Sequence, residues 1–260
     1  MSIDRVLVVF AHPDDAEFGL SGTVAKWVRE GATVEYVCVT DGAAGSNEPG
    51  VRRDELAPLR RDEQLAACDV LGVANCTFLG VPDGYVELTL DLRRAITREV
   101  RRIRPDIFAV PDPIRMWDSE RRYINHSDHR TVGLACLAVV NPDAPTRPQF
   151  PELLDEGHEP YEIPNMWMPT WDDADTFVDI TETIEQKIQA LRCHKSQIGD
   201  WPVDEWIRER ARQRGELAGM EYAESFRTFV LKEPQVEAEA KGAAGEGELD
   251  DDAEPEREAG

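Results

Sequence analysis

RVLVVFAHPDDAEFGLSGTVAKWVREGATVEYVCVT, from Arg5 to Thr40, carries the reading of the fold. RVLVVF is a short, β-branched apolar run, the pattern of a strand buried on both faces. From Asp15 to Gly31 the residues Leu20, Val24, Trp27 and Val28 recur at helical spacing, and Gly31 supplies the stop. TVEYVCVT then reads as a second strand. The unit repeats: Asp54 to Leu71 predicts a helix, NCTFLG a strand, Leu92 to Arg104 a helix and DIFAVP a strand. Alternation of this kind predicts an α/β fold, a Rossmann-like, mostly parallel sheet with helices on both faces. Ligands of such sheets sit beyond the carboxyl ends of the strands.

Further along, Ser127 to Val140 predicts a helix, DTFVDI a strand, and Thr181 to His194 and Val203 to Gly215 two more helices. Between them Asn141 to Trp171 is so rich in proline and acids that it reads as a loop or lid where substrate choice would be made. Trp167, Trp171 and Trp117 are candidates for stacking on a sugar face. Residues 1–232 read as a single domain and 233–260 as an acidic disordered tail. That tail holds eleven acids against Lys241 and Arg257, which is −9 of the formal −23, and has no aromatic residue to bury.

The charge argues against a nucleic-acid partner, because phosphate binding needs clustered Lys and Arg, and here the Arg pairs lie among acids. The first apolar run is too short for a signal-peptide core or a membrane span, so a cytoplasmic protein without membrane contact is expected. The five scattered cysteines fit reduced core thiols better than disulfides or a thiolate zinc site. A homo-oligomer is compatible with all of this.

The chemistry is concentrated at predicted strand ends. Neighbouring carboxylates such as Asp14 and Asp15 repel each other, and folding alone gives little reason to pair them on a turn; a nearby positive charge does. NHSDHR places His126 and His129 where a helix should begin. Imidazoles plus a carboxylate suit zinc or another divalent transition ion such as Fe²⁺, with a position left open for water. One acid of the pair could then bind the cation while the other takes a proton from water whose pKa falls from about 15.7 towards about 7. Each motif also has a plain reading: acids at a helix N-terminus, and a capped helix start with exposed imidazoles. Their joint occurrence at the ends of one sheet favours a site.

AHPDDAEFG, TDGAAG, RRDEQLAACDVLGV, FLGVPDG, RPDIFAVPDP, NHSDHR and DITETIEQKIQALRCHKSQ occur in this order from about Arg5 to Gln197. In this the chain resembles the PIG-L/LmbE family of zinc-dependent N-acetylglucosaminyl deacetylases. The resemblance implies His12, Asp15 and His129 as metal ligands and Asp14 as general base. It implies His126 as a cationic oxyanion partner or an acid towards the leaving amine, oriented by Asp128, with Arg60 and Asp83 facing the sugar. Some relatives carry a tyrosine where Ile124 stands, and the neighbouring Tyr123 is expected to point elsewhere. His194 is expected to be a packed group rather than a ligand. The implied activity is removal of an N-acetyl or related N-acyl group from an amino-sugar conjugate, a small-molecule partner.

Alternatives from other classes are a non-catalytic metal- or sugar-binding module and an amidase for thiol-sugar S-conjugates. A phosphate-ester hydrolase or a nucleotide-binding oxidoreductase is disfavoured, because neither Gly-x-Gly-x-x-Gly nor a Walker lysine follows the first strand.

Overall fold

The structure, a computed structural model, describes residues 3–119 and 122–232. The expected acidic tail, 233–260, lies outside the described residues. The opening stretch forms β1 (Arg5–Phe10), two short helices α1 (Asp15–Gly19) and α2 (Ser21–Arg29), and β2 (Thr33–Thr40). Next come α3 (Arg53–Leu71), β3 (Asn75–Val81), α4 (Leu90–Ile103) and β4 (Ile107–Ala109). A small hairpin, β5 (Trp117–Asp118) and β6 (Tyr123–Ile124), leads into α5 (Ser127–Ala138). The remainder is α6 (Glu152–Asp155), β7 (Asn165–Pro169), β8 (Thr176–Asp179), α7 (Ile184–Leu191), α8 (Lys195–Ile198), α9 (Val203–Ala218) and β9 (Ala223–Val230).

One sheet of order β3-β2-β1-β4-β7-β9-β8 spans the molecule, parallel from β3 to β7, with β9 antiparallel to both its neighbours. Strand β1 lies inside the sheet between β2 and β4, and both of its faces are apolar. Leu7 and Val9 pack with Ile96, Val100 and Val132 from α4 and α5 on one side. Val6, Val8 and Phe10 pack with Val24, Trp27 and Leu71 from α2 and α3 on the other. The expected α/β sandwich is therefore present. Among the described residues no helix is long and apolar enough to cross a membrane.

Three features depart from the sequence reading. The helix expected over Asp15–Gly31 breaks at Leu20, whose φ of −150° leaves the helical region. The break is held by a buried ion pair at 2.6 Å between Lys187 and Glu224. Lys187 Nζ donates to the orphan carbonyls of Glu17 (2.8 Å) and Phe18 (3.0 Å) at the end of α1. Glu224 accepts from the orphan N–H groups of Gly22 (3.0 Å) and Thr23 (2.7 Å) at the start of α2. Removing one member of such a pair strands a buried charge, so Lys187→Met is expected to lower stability by about 3–5 kcal/mol. Urea unfolding measures it, and a loss below about 1 kcal/mol would mean that the pair does not hold the break.

The Pro-rich segment is not a lid. Arg101, buried on α4, donates to the carbonyls of Asp143 (2.8 Å), Ala144 (3.1 Å), Thr146 (3.0 Å) and Gln149 (3.0 Å). Phe150 and Leu153 are buried, so the segment is fixed against the body of the protein. It also contributes β7, and with β9 it supplies two strands that the sequence reading lacks. Trp167, on β7, packs in the core against Trp27 and Phe226, which removes it from the sugar-stacking candidates.

Candidate metal and catalytic centre

The carboxyl ends of β1, β2, β3 and β4 converge, and the turn after β1 is wound tightly on itself. Asp15 N–H donates to the carbonyl of His12 at 3.1 Å, and Asp15 Oδ2 accepts from His12 N–H at 2.8 Å. Between them Asp14 has φ 103°, a left-handed backbone that costs a non-glycine residue about 1–3 kcal/mol. This conformation makes the two acids diverge.

Asp15 turns towards the histidines. Its Oδ1 is 3.1 Å from His129 Nε2 and its Oδ2 is 3.5 Å from His12 Nδ1, and those two ring nitrogens are 3.2 Å apart. Ligands of a tetrahedral zinc ion at about 2.05 Å are about 3.3 Å apart, close to the separations within this donor set. The other ring nitrogens are held. His129 Nδ1 is 3.1 Å from Asn125 Oδ1, an acceptor that can keep a proton on Nδ1 when a cation takes the place of the one at Nε2. Asn125 is oriented in turn by donating from Nδ2 to the Arg115 carbonyl at 2.9 Å. His12 Nε2 lies 3.1 Å from Asp83 and 3.3 Å from Asp128. Carboxylates and amides behind metal-binding imidazoles fix tautomer and ring orientation in this way.

His12, Asp83, His126 and Asp128 form a second group close enough to hold a cation. One acceptor atom on each of Asp83, Asp128 and His126 is already engaged by a backbone N–H. Asp83 Oδ2 accepts from Ala44 N–H at 3.0 Å, Asp128 Oδ2 from Gly84 N–H at 2.8 Å, and His126 Nδ1 from Asp128 N–H at 3.1 Å. In the His12, Asp15 and His129 set only Asp15 Oδ2 is so engaged, and His12 Nδ1, His129 Nε2 and Asp15 Oδ1 are left facing one another, which makes it the better cation site.

Asp14 turns the other way, where Arg60 Nη2 meets its Oδ2 at 3.0 Å. Arg60 is buried and also donates to the carbonyls of Gly42 (2.8 Å) and Pro13. Gly42, at φ 64°, leaves room that a Cβ would close, since the added atom would sit 2.9 Å from Arg60 Nη1. The structure therefore places Arg60 behind Asp14, and Asp83 behind His12, instead of on an open sugar face. It also places the Asp128 carboxylate nearer His12 than His126, whose Nδ1 is 4.0 Å from Asp128 Oδ1.

The electrostatics follow this layout. Burial opposes protonation of His12, but hydrogen bonds to Asp128, Asp15 and Asp83 push its pKa up to about 12. Burial opposes charge on Asp15 too, yet His129 and His12 hold it well below the usual carboxylate range. A field so negative around two imidazoles favours a divalent cation in place of their protons. Burial, helped by Asp15 and opposed by Arg60, pushes Asp14 up to about 7. Burial and the positive charge at His12 push His126 down. With Nδ1 accepting from the backbone, a neutral His126 keeps its proton on Nε2.

Beside Asp15 and His129 opens a cleft of about 520 Å³, lined by Phe18, Tyr123, Trp171 and Trp206 among others. Tyr123 enters it and places its hydroxyl 3.1 Å from Asn125 Oδ1, whereas Ile124 is 73% exposed. The expectation that Tyr123 points elsewhere is thus corrected. Trp171 lines the cleft, and Trp117 is an exposed residue of the β5–β6 hairpin. Asn125, Gln64 and Trp206 were not singled out from the sequence. Gln64 stands four residues after Arg60 on α3, the spacing that places both on one helical face, whereas Asn125 lies just before α5 and carries no such signal.

Residues 7–140 match the GlcNAc-PI de-N-acetylase family, PIG-L. The chain belongs to the PIG-L family. It is 32% identical over 231 residues to diacetylchitobiose deacetylase of Thermococcus kodakarensis, covering 86% of this chain and 83% of that one. It is 28% identical over 232 residues to 1D-myo-inositol 2-acetamido-2-deoxy-alpha-D-glucopyranoside deacetylase of Actinosynnema mirum, covering 76% and 82%. Its fold superposes with TM-score 0.80 on N,N'-diacetylchitobiose deacetylase of Pyrococcus horikoshii, at 31% identity over 88% of this chain and 84% of that one. These PIG-L relatives are deacetylases of substrates that contain N-acetylglucosamine.

Proposed function

We propose that this protein is a zinc-dependent hydrolase that removes the N-acetyl group from a small-molecule conjugate of N-acetylglucosamine. The observation that carries the reading is the divergence of Asp14 and Asp15. One joins His12 and His129 in a donor set of suitable spacing, and the other stays outside it, paired with Arg60.

His12, Asp15 and His129 hold the metal in this reading. A divalent cation there supplies a Lewis acid for the amide carbonyl and acidifies water. Asp14 accepts the proton of the attacking water and returns it to the leaving nitrogen, and Arg60 keeps its carboxylate aimed. His126, neutral with its proton on Nε2, donates to the oxygen on which charge develops. Asp128 and Asp83 hold His12, and Asn125 holds His129, so that the ligands need no reorganisation when the cation binds. Trp171 and Trp206 offer aromatic surface for the part of the substrate beyond the scissile amide.

The test is acetate release from a panel headed by N,N'-diacetylchitobiose and including N-acetylglucosamine conjugates with polyols and hydroxy acids, with metal content measured on the same preparation. About one zinc per chain and turnover of at least one member is the expected result. Iron in place of zinc would revise the metal alone. Bound metal without acetate release from any member would turn the reading towards a binding module.

A further inference from the structure

Beneath Asp14 lies a row of wholly buried polar side chains that the reaction does not touch. Glu17, Gln64 and His194 are each 0% exposed, on α1, on α3 and just before α8. Asp14 N–H donates to Gln64 Oε1 at 3.1 Å, Gln64 Nε2 donates to Glu17 Oε1 at 3.0 Å, and Glu17 Oε2 lies 3.2 Å from His194 Nε2. The far end is anchored by Glu63, one residue before Gln64, which accepts from Ser196 N–H (2.7 Å) and Oγ–H (2.6 Å). The helix that sends Arg60 to the Asp14 carboxylate thus sends Gln64 to its backbone and Glu63 to the turn that carries His194.

We propose that His194, Glu17 and Gln64 form a buried positioning chain whose last link, the side-chain carbonyl of Gln64, holds the left-handed backbone of Asp14 and so aims its carboxylate. The chain has a direction. A carboxylate only accepts, so Glu17 obliges Gln64 to present its NH₂ on that side and its carbonyl to Asp14. With the amide reversed, the NH₂ would face the Asp14 N–H, donor against donor. His194 closes the row at its far end, its Nε2 standing 3.2 Å from Glu17 Oε2. The strain at Asp14 is kept because this row and Arg60 together over-determine its conformation.

The inference rests on Asp14 acting as the base, and its test separates the two ideas. Gln64→Leu is expected to lower kcat by about ten- to a hundredfold, as a misplacement of about 1 Å does, with KM and metal content near wild type. In an Asp14→Asn background the same substitution should cost nothing further, because its effect runs through Asp14. Exchanging acid and amide, Gln64→Glu with Glu17→Gln, keeps a donor and an acceptor between Asp14 and residue 64 and between residues 64 and 17, and should recover most of the turnover that Gln64→Leu loses.

Amide exchange at Asp14, slow in wild type and fast in Gln64→Leu, reads the same hydrogen bond without substrate. Unchanged kcat in a folded Gln64→Leu protein, an equal loss in the Asp14→Asn background, or loss of metal together with turnover overturns the positioning chain. If Gln64→Leu does not fold, the exchanged pair decides: turnover near wild type supports the chain, and a loss of more than about tenfold overturns it. Wild-type protein that releases no acetate counts against the deacetylase reading instead, and the exchange measurement still stands.

Discussion

Asp14→Asn is expected to keep the metal and near-normal substrate affinity while losing turnover by a factor of about a hundred to ten thousand, the usual worth of a positioned general base. The substitution changes little in shape. Asparagine is nearly isosteric, tolerates a left-handed backbone as readily as aspartate, and leaves the Asp14 N–H free to reach Gln64. Its side-chain oxygen can still accept from Arg60. What disappears is a group that can take a proton. The metal should stay because Asp14 is turned away from His12 Nδ1, His129 Nε2 and Asp15, which hold the cation in the proposed site. Metal analysis beside kcat and KM decides the point. Loss of metal in Asp14→Asn would make Asp14 a ligand, and full turnover would end the case for it as base.

The parts of the fold that local pattern sets were legible. RVLVVF could only be a strand buried on both faces, and the helices before and after β3 carry their stripes within single turns of sequence. What was not legible depends on distant partners. The break at Leu20 is held by Lys187 and Glu224, more than 160 residues away in the chain. Strand β9 runs from buried Ala223–Phe226 to exposed Val230, so it lacks the regular alternation that marks a half-buried strand, and β7 follows a proline-rich stretch that reads as loop. Arg101 shows why that stretch was misread: one buried guanidinium satisfies four carbonyls of a segment whose composition carries no sign of it.

At the site, sequence pointed to the residues more surely than to their neighbours. His12 and Asp15, in the turn after β1, come together with His129 in the first turn of α5, and Asp14 turns from them to Arg60. Arg60 and Asp83, read as facing a sugar, lie buried behind other side chains. Their chemistry suits both places, and only the path of the chain tells which. Tyr123 is the converse case. Residue alternation along a strand is visible in sequence, but which face of the β5–β6 hairpin looks into the cleft is set by where the hairpin docks.

The companion substitution, Asp15→Ala, should deplete the purified protein of metal, with excess zinc restoring little activity. The carboxylate has two tasks in the structure. It reaches both facing imidazole nitrogens, and it closes the turn by accepting from His12 N–H at 2.8 Å. Alanine therefore removes one ligand and also releases the backbone that aims another, so His12 and His129 are left as an unclamped pair. Two imidazoles without the carboxylate form an incomplete set for zinc, which is held by three protein ligands in its catalytic sites. A folding consequence follows from linkage. A ligand present at a hundred times its dissociation constant stabilises the native state by about 2.7 kcal/mol, so zinc should raise the melting temperature of wild type and of Asp14→Asn but not of Asp15→Ala. The comparison needs no substrate, which keeps it independent of which amide is cleaved. If zinc stabilises Asp15→Ala as much as wild type, the cation sits elsewhere, and the group of His12, Asp83, His126 and Asp128 becomes the place to look.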